Sequence, residues 1–186
     1  MFNLKLTVIG AAALAGLLLS INIAAQTPAK AAAPATAEFE KRVAAYVDVH
    51  KKAAGQMPSL KRTDDPTEIS SREIALGNAI RAARADARPG DIMTRDIADE
   101  IRRLIKRDFR GRSREERRIF LDEVPHFRPK VNQVYPSTWP LATFPATLLD
   151  VLPKLPEIVE YRLLSEALIL RDVNANIVVD FILDVY

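Results

Sequence analysis

The stretch Arg102–Arg118 reads RRLIKRDFRGRSREERR and carries the densest charge in the chain. Arg102, Arg103, Lys106, Arg107, Arg110 and Arg112 fall within eleven residues, at spacings that let a helix gather cations along a stripe around Phe109. The chemistry on offer is recognition of anions. Arg outnumbers Lys 18 to 9 over the whole chain, and guanidinium groups pair bidentately with carboxylates and phosphates. An anionic lipid surface, a cell-wall polymer or an acidic envelope protein would each fit, and nucleic acid fits least because no reader motif is present. The competing account is a solvated helix face, since Asp108, Glu115, Glu116 and Asp122 are interleaved with the cations. The acid-rich end of the chain is a second source of neutralisation.

Other chemistries are poorly supplied. His50 and His126 are the two histidines, and neither sits in an HxxH or HExxH pattern or beside acids at metal-ligand spacing, so no metal site is expected. His50 reads as the edge of an apolar helical stripe and His126 as a turn residue. There is no cysteine, which excludes disulfides, thiolate metal sites and lipid attachment through cysteine. No serine has a nucleophile-elbow setting, and no glycine-rich phosphate loop or other cofactor motif occurs. Acidic pairs exist at Asp64-Asp65, Asp99-Glu100, Glu115-Glu116 and Asp122-Glu123. Neighbouring carboxylates on a helix point about 100° apart and seldom share one site. The leading expectation is a non-catalytic binding or interaction module with an Arg-rich face. The alternatives are a periplasmic hydrolase using a carboxylate of the third or fourth helix, and a metal-responsive periplasmic protein.

The first 25 residues bear on compartment. A lone Lys5 precedes an uncharged apolar run, followed by Ser20-Ile21-Asn22-Ile23-Ala24-Ala25 before Gln26. This is the pattern of a secretory signal peptide, with removal expected after Ala24 or Ala25 and a periplasmic or secreted destination. Retention as an anchor is the other reading, because Leu6–Ile23 is roughly 18 residues, the lower limit for a membrane span. No further transmembrane segment is expected once the signal is removed. Residues 26–36 (QTPAKAAAPAT) are Ala/Pro-rich and read as a flexible linker. The remaining 37–186 suffices for one domain with its own core.

The elements that must position the cations follow from periodicity. Phe39, Val43, Tyr46, Val47 and His50 mark one face of a helix over Ala37–Ala54, ended by Gly55 and Pro58. Asp65, Pro66 and Glu68 form a start signal for a second helix, with Ile69, Leu76, Ile80 and Ala83 as its stripe and Pro89-Gly90 as its stop. A third helix is expected from Thr94 to about Phe109, with Ile97, Ile101, Leu104 and Ile105 inward. Ser113 and Glu116 make a capping box for a fourth, with Ile119, Phe120 and Val124 inward and Pro125 as the stop. Residues 125–156 hold seven prolines, which excludes long helices and central strands. This segment reads as an extended wrap pinned by Tyr135, Trp139, Leu141 and Phe144, with one short helix after Pro145. Trp139, between prolines, serves better as a clasp than as a ligand platform. Val159–Leu164, Ala167–Arg171 and Ile177–Leu183 then predict a three-stranded antiparallel meander within 157–183. The fold class is therefore α+β, helical over 37–124 and β over 157–183.

The run Glu160-Tyr161-Arg162, Ala167-Leu168-Ile169-Leu170-Arg171-Asp172 and Ile177-Val178-Val179-Asp180-Phe181-Ile182 resembles the C-terminal hairpin of small periplasmic proteins of the nickel/cobalt homeostasis family. The resemblance covers about residues 157–183 and implies a hairpin and a periplasmic setting, with no metal residues carried over. The chain as a whole resembles a group of exported bacterial proteins with no assigned activity.

Overall fold

The computed structural model describes residues 34–58, 64–136, 138–139 and 141–186. The expected signal peptide, most of the linker and part of the connector after the first helix lie outside the described residues. Among the described residues, four helices of at least ten residues precede a three-stranded antiparallel sheet, the α+β arrangement that the periodicity predicts.

Helix α1 (Pro34–Gly55) buries Phe39, Val43, Tyr46, His50 and Ala53 at helical spacing. It begins three residues inside the expected linker, with Pro34 at its first position, where a missing N–H costs nothing. Helix α2 (Pro66–Ala83) starts where Asp65 accepts the Thr67 N–H at 2.8 Å. It stops well before the expected Pro89-Gly90. Arg84 leaves the helix because its guanidinium turns inward, lying 5.0 Å from the Tyr46 ring centroid and donating to Val179 O and Asn132 Oδ1. The inward stripe of α2 is also narrower than expected, since Leu76, Gly77 and Ile80 are buried while Ile69 is exposed. Gly77 permits this packing: a Cβ there would stand 3.0 Å from the Ala175 carbonyl oxygen.

Helix α3 (Arg95–Gly111) buries Ile97, Ala98, Ile101, Ile105 and Phe109. Helix α4 (Arg114–Glu123) carries the expected capping box, with Ser113 and Glu116 bonded reciprocally. Phe120 and Val124 point inward, but Ile119 is exposed. A helix of this length has room for one buried ridge, and Phe120 occupies it. A single turn, α5 (Ala146–Leu149), interrupts the proline-rich segment.

Strands β1 (Val159–Leu163), β2 (Ala167–Asp172) and β3 (Ile177–Leu183) pair in the order β1-β2-β3. Tyr161 faces Leu170, and Leu168 faces Ile182. The β2–β3 turn places Asn176 at φ 50°, the left-handed conformation that Asn tolerates. Every residue of β2 is buried. One sheet face packs Leu168, Leu170, Ile177 and Val179 into the helical core. The other packs Leu164, Ile169 and Val178 beneath Tyr135, with Phe127 and Trp139 alongside. The proline-rich segment is therefore the second cover of the sheet, and it adds a bridge from Val134 to Ile177. Trp139 sits with Phe127 at 6.4 Å between ring centroids, in the role of a clasp. Leu141, expected to pin the segment, is exposed.

Candidate functional site: a cationic helix face and a buried histidine pair

The six cations singled out from the sequence divide into two groups. Arg102 and Arg112 are tied into the fold. Arg102 donates to Leu183 O at 2.9 Å and to Asp99 at 2.7 Å. Arg112 pairs with Asp108 at 2.7 Å, and its guanidinium lies over the rings of Phe109 and Phe120 at 5.3 and 5.7 Å from their centroids. Phe109 is only 5% exposed and packs on Phe120 and Tyr186, so the expected stripe around an accessible Phe109 does not form. Its position in the 3.6-residue repeat continues the Ile97, Ile101, Ile105 ridge, which carries it into the core.

Arg103, Lys106, Arg107 and Arg110 form the second group. They are spaced three and four residues apart, so they share one side of α3, all exposed. Each lacks an ion-pair or hydrogen-bond partner among the described residues. They extend over roughly 10 Å of helix at 1.5 Å per residue. The first turn of the same helix carries Asp96, and Arg102 donates backward to Asp99. Acids at the N-terminus and bases toward the C-terminus complement the helix dipole. The dipole accounts for where the cations sit but leaves their side chains free for an external anion.

The acids expected to neutralise this face are engaged elsewhere. Glu115 and Asp122 both pair with Arg118. Within the sheet, Glu160 bonds Arg162 and Arg171, each at 2.6 Å. Burial works against the charged carboxylate of Glu160, but the hydrogen bonds and charges of Arg162 and Arg171 outweigh it and hold the group below its ordinary value. A carboxylate depressed in the folded state contributes stability that is complete above its unfolded value and fades as pH falls through the lower folded value. The urea midpoint of the native chain should therefore exceed that of Glu160→Gln at neutral pH. The gap should narrow as the pH drops below about 4.5. A gap that is constant with pH would contradict the pairing.

Asp180 is fully buried and accepts N–H bonds from Gly90, Ile92 and Met93 at 2.8–2.9 Å. It anchors the turn ahead of α3 to β3, and so fixes where the cationic helix begins.

His50 lies on the expected face of α1 and is buried there. Its Nδ1 lies 2.6 Å from Oδ2 of Asp172, which is fully buried at the end of β2. Tyr46, one turn earlier on α1, donates its hydroxyl to the same oxygen at 2.6 Å. The other oxygen, Oδ1, accepts the backbone N–H groups of Asn174 and Ala175. Four hydrogen bonds converge on one carboxyl group. A carboxylate only accepts, so Nδ1 of His50 is the nitrogen that donates to Asp172. Burial, and then the charge of Asp172, push the Tyr46 hydroxyl well above the usual phenol range, so it remains a donor. The pairing joins residues 122 apart in sequence. The local clues were a Tyr and a His at i, i+4 on an otherwise apolar face, and an Asp leading into an Asn-Ala-Asn turn. Neither clue names its partner.

His50 opens onto a pocket of about 450 Å³, whose apolar wall includes Ile69, Leu76 and Val173 and whose polar lining includes Arg72, Glu73 and Asn174. His126 lines a separate pocket with Glu166 and Asp184. Among the described residues, no group of three or more His, Asp or Glu side chains is placed to hold a metal ion. No helix among them is long and apolar enough to cross a membrane. Comparison with family models, with curated proteins and with solved structures finds no match to this chain.

Proposed function

We propose that this is an exported envelope protein that works by binding, and that it docks on phosphate-bearing surfaces through Arg103, Lys106, Arg107 and Arg110. The observation that carries the reading is the division among the cations of α3. Arg102 and Arg112 are spent inside the fold, while these four share one exposed side with no partner among the described residues. The signal-like N-terminus supports the compartment. Each cation near an anionic bilayer contributes about 1 kcal/mol. Four amount to about 4 kcal/mol, on the order of a thousandfold in affinity.

The test is co-sedimentation of the full chain with vesicles containing phosphatidylglycerol, with neutral phosphatidylcholine vesicles and soluble polyphosphate as further arms. Binding confined to the anionic vesicles identifies lipid headgroups, and binding to polyphosphate as well identifies phosphate in general. In both cases binding should fall steeply with salt. Reversing the four residues to Glu should abolish it while circular dichroism shows the fold retained. Equal binding to neutral vesicles, insensitivity to salt, or retention by the reversed variant each defeats the proposal.

The hydrolase alternative receives less support from the geometry. Five carboxylates of α3 and α4 are occupied: Asp99, Asp108, Glu115 and Asp122 as partners of Arg102, Arg112 and Arg118, and Glu116 in the Ser113 cap.

A further inference from the structure

We propose that His50 is a general base for hydrolysis of small uncharged esters, held in the pocket between α1, α2 and the β2–β3 turn. The proposal is independent of the cationic face, since none of its residues lies on α3.

Three features of the fold converge on it. Asp172 fixes the tautomer and the ring orientation of His50, as an orienting acid does for a catalytic imidazole. Tyr46 and two backbone N–H groups hold Asp172 in turn, so the pair is rigid. Among the described residues Nε2 has no partner, yet no buried side-chain nitrogen or oxygen there is left unsatisfied. Nε2 therefore reaches open space, and His50 lines the pocket over α2.

The walls indicate the ligand class. Ile69, Leu76 and Val173 offer a surface for a short hydrocarbon group. Arg72 and Glu73 line the same pocket with opposite charges, which favours a ligand without net charge. Arg72 uses Nη1 to bind Pro58 O at 2.5 Å and retains further N–H donors for an oxyanion. The step balances with water as the co-reactant. Nε2 removes a proton from water as the water oxygen bonds to the carbonyl carbon, and the carbonyl electron pair moves to oxygen. The intermediate then collapses, the C–O bond to the alcohol breaks, and the proton on Nε2 passes to the departing alkoxide.

The experiment is hydrolysis of p-nitrophenyl acetate by the purified full chain, read alongside carbethoxylation by diethyl pyrocarbonate mapped by mass spectrometry. His126, which is exposed, serves as the internal reference. The expected results are hydrolysis at least tenfold above His50→Gln and faster carbethoxylation at His50 than at His126. Should His50→Gln fail to fold, Val173→Trp tests the same point. Val173 is 39% exposed in the turn, so the larger ring fills the pocket without entering the core, and hydrolysis should fall at least tenfold there too. Hydrolysis equal in the native chain and the folded variant, no hydrolysis at all, or slower modification of His50 than of His126 overturns the assignment.

Discussion

Asp180→Asn should cost about 3 kcal/mol of stability, a large effect for a change of one atom. The carboxylate is fully buried, and both oxygens are in use: Oδ1 accepts from Gly90 and from its neighbour Phe181, and Oδ2 from Ile92 and Met93. An amide offers one oxygen. In either orientation its NH2 group faces two N–H donors, which lose their acceptor inside the protein. Gly90 has φ 88°, which glycine adopts freely, so the backbone of the turn is unstrained and the loss comes from the unpaired N–H donors. For a chain of this size, a loss of about 3 kcal/mol lowers the melting temperature by roughly 10 °C. Circular dichroism on heating measures it. A shift under about 3 °C would show that the turn holds without the carboxylate.

Phe109→Ala should be at least as damaging, at about 3–5 kcal/mol. Phe109 links α3, α4 and the chain end: its ring lies 5.2 Å from Phe120 and 4.5 Å from Tyr186, centroid to centroid. Removing it opens a cavity and leaves Arg112 without one of the two rings it covers. Phe109→Leu should recover more than half of the loss, because it refills the volume without the edge-to-face contact. Denaturant titration compares the three chains. By contrast, Arg107→Ala, two residues away on the exposed side, should stay within about 0.5 kcal/mol of the native chain. Near-equal midpoints for Phe109→Ala and Arg107→Ala would contradict the packing described.

What could be read from the sequence was local. The Ser113–Glu116 box, the Asp65-Pro66 start and the apolar alternation of 159–183 each encode their element within a few residues, and each element stands within a few residues of its expected position. The misplaced features depend on residues far along the chain. Arg84 ends α2 early because it reaches β3 and Tyr46, which no property of 80–90 announces. Ile69 and Ile119 fit their helical stripes by spacing, but the neighbouring elements cover a narrower ridge. Phe109 was read with the cations around it rather than with Ile101 and Ile105. For the site, clustering showed where the cations were, and tertiary contacts decided which remained free. The His50–Asp172 pairing is a long-range product of α1 meeting the hairpin turn, and periodicity carries no information about it.

The enclosure of β2 on both sides has a consequence for how the chain matures. The sheet on which both covers pack is built from residues 159–183, its second cover comes from the proline-rich segment around Tyr135, and α1–α3 come far earlier. The apolar ridges of α1–α3 therefore have no sheet to pack on until β1–β3 are present. The contacts that close the core are long-range in sequence, the kind that slows folding.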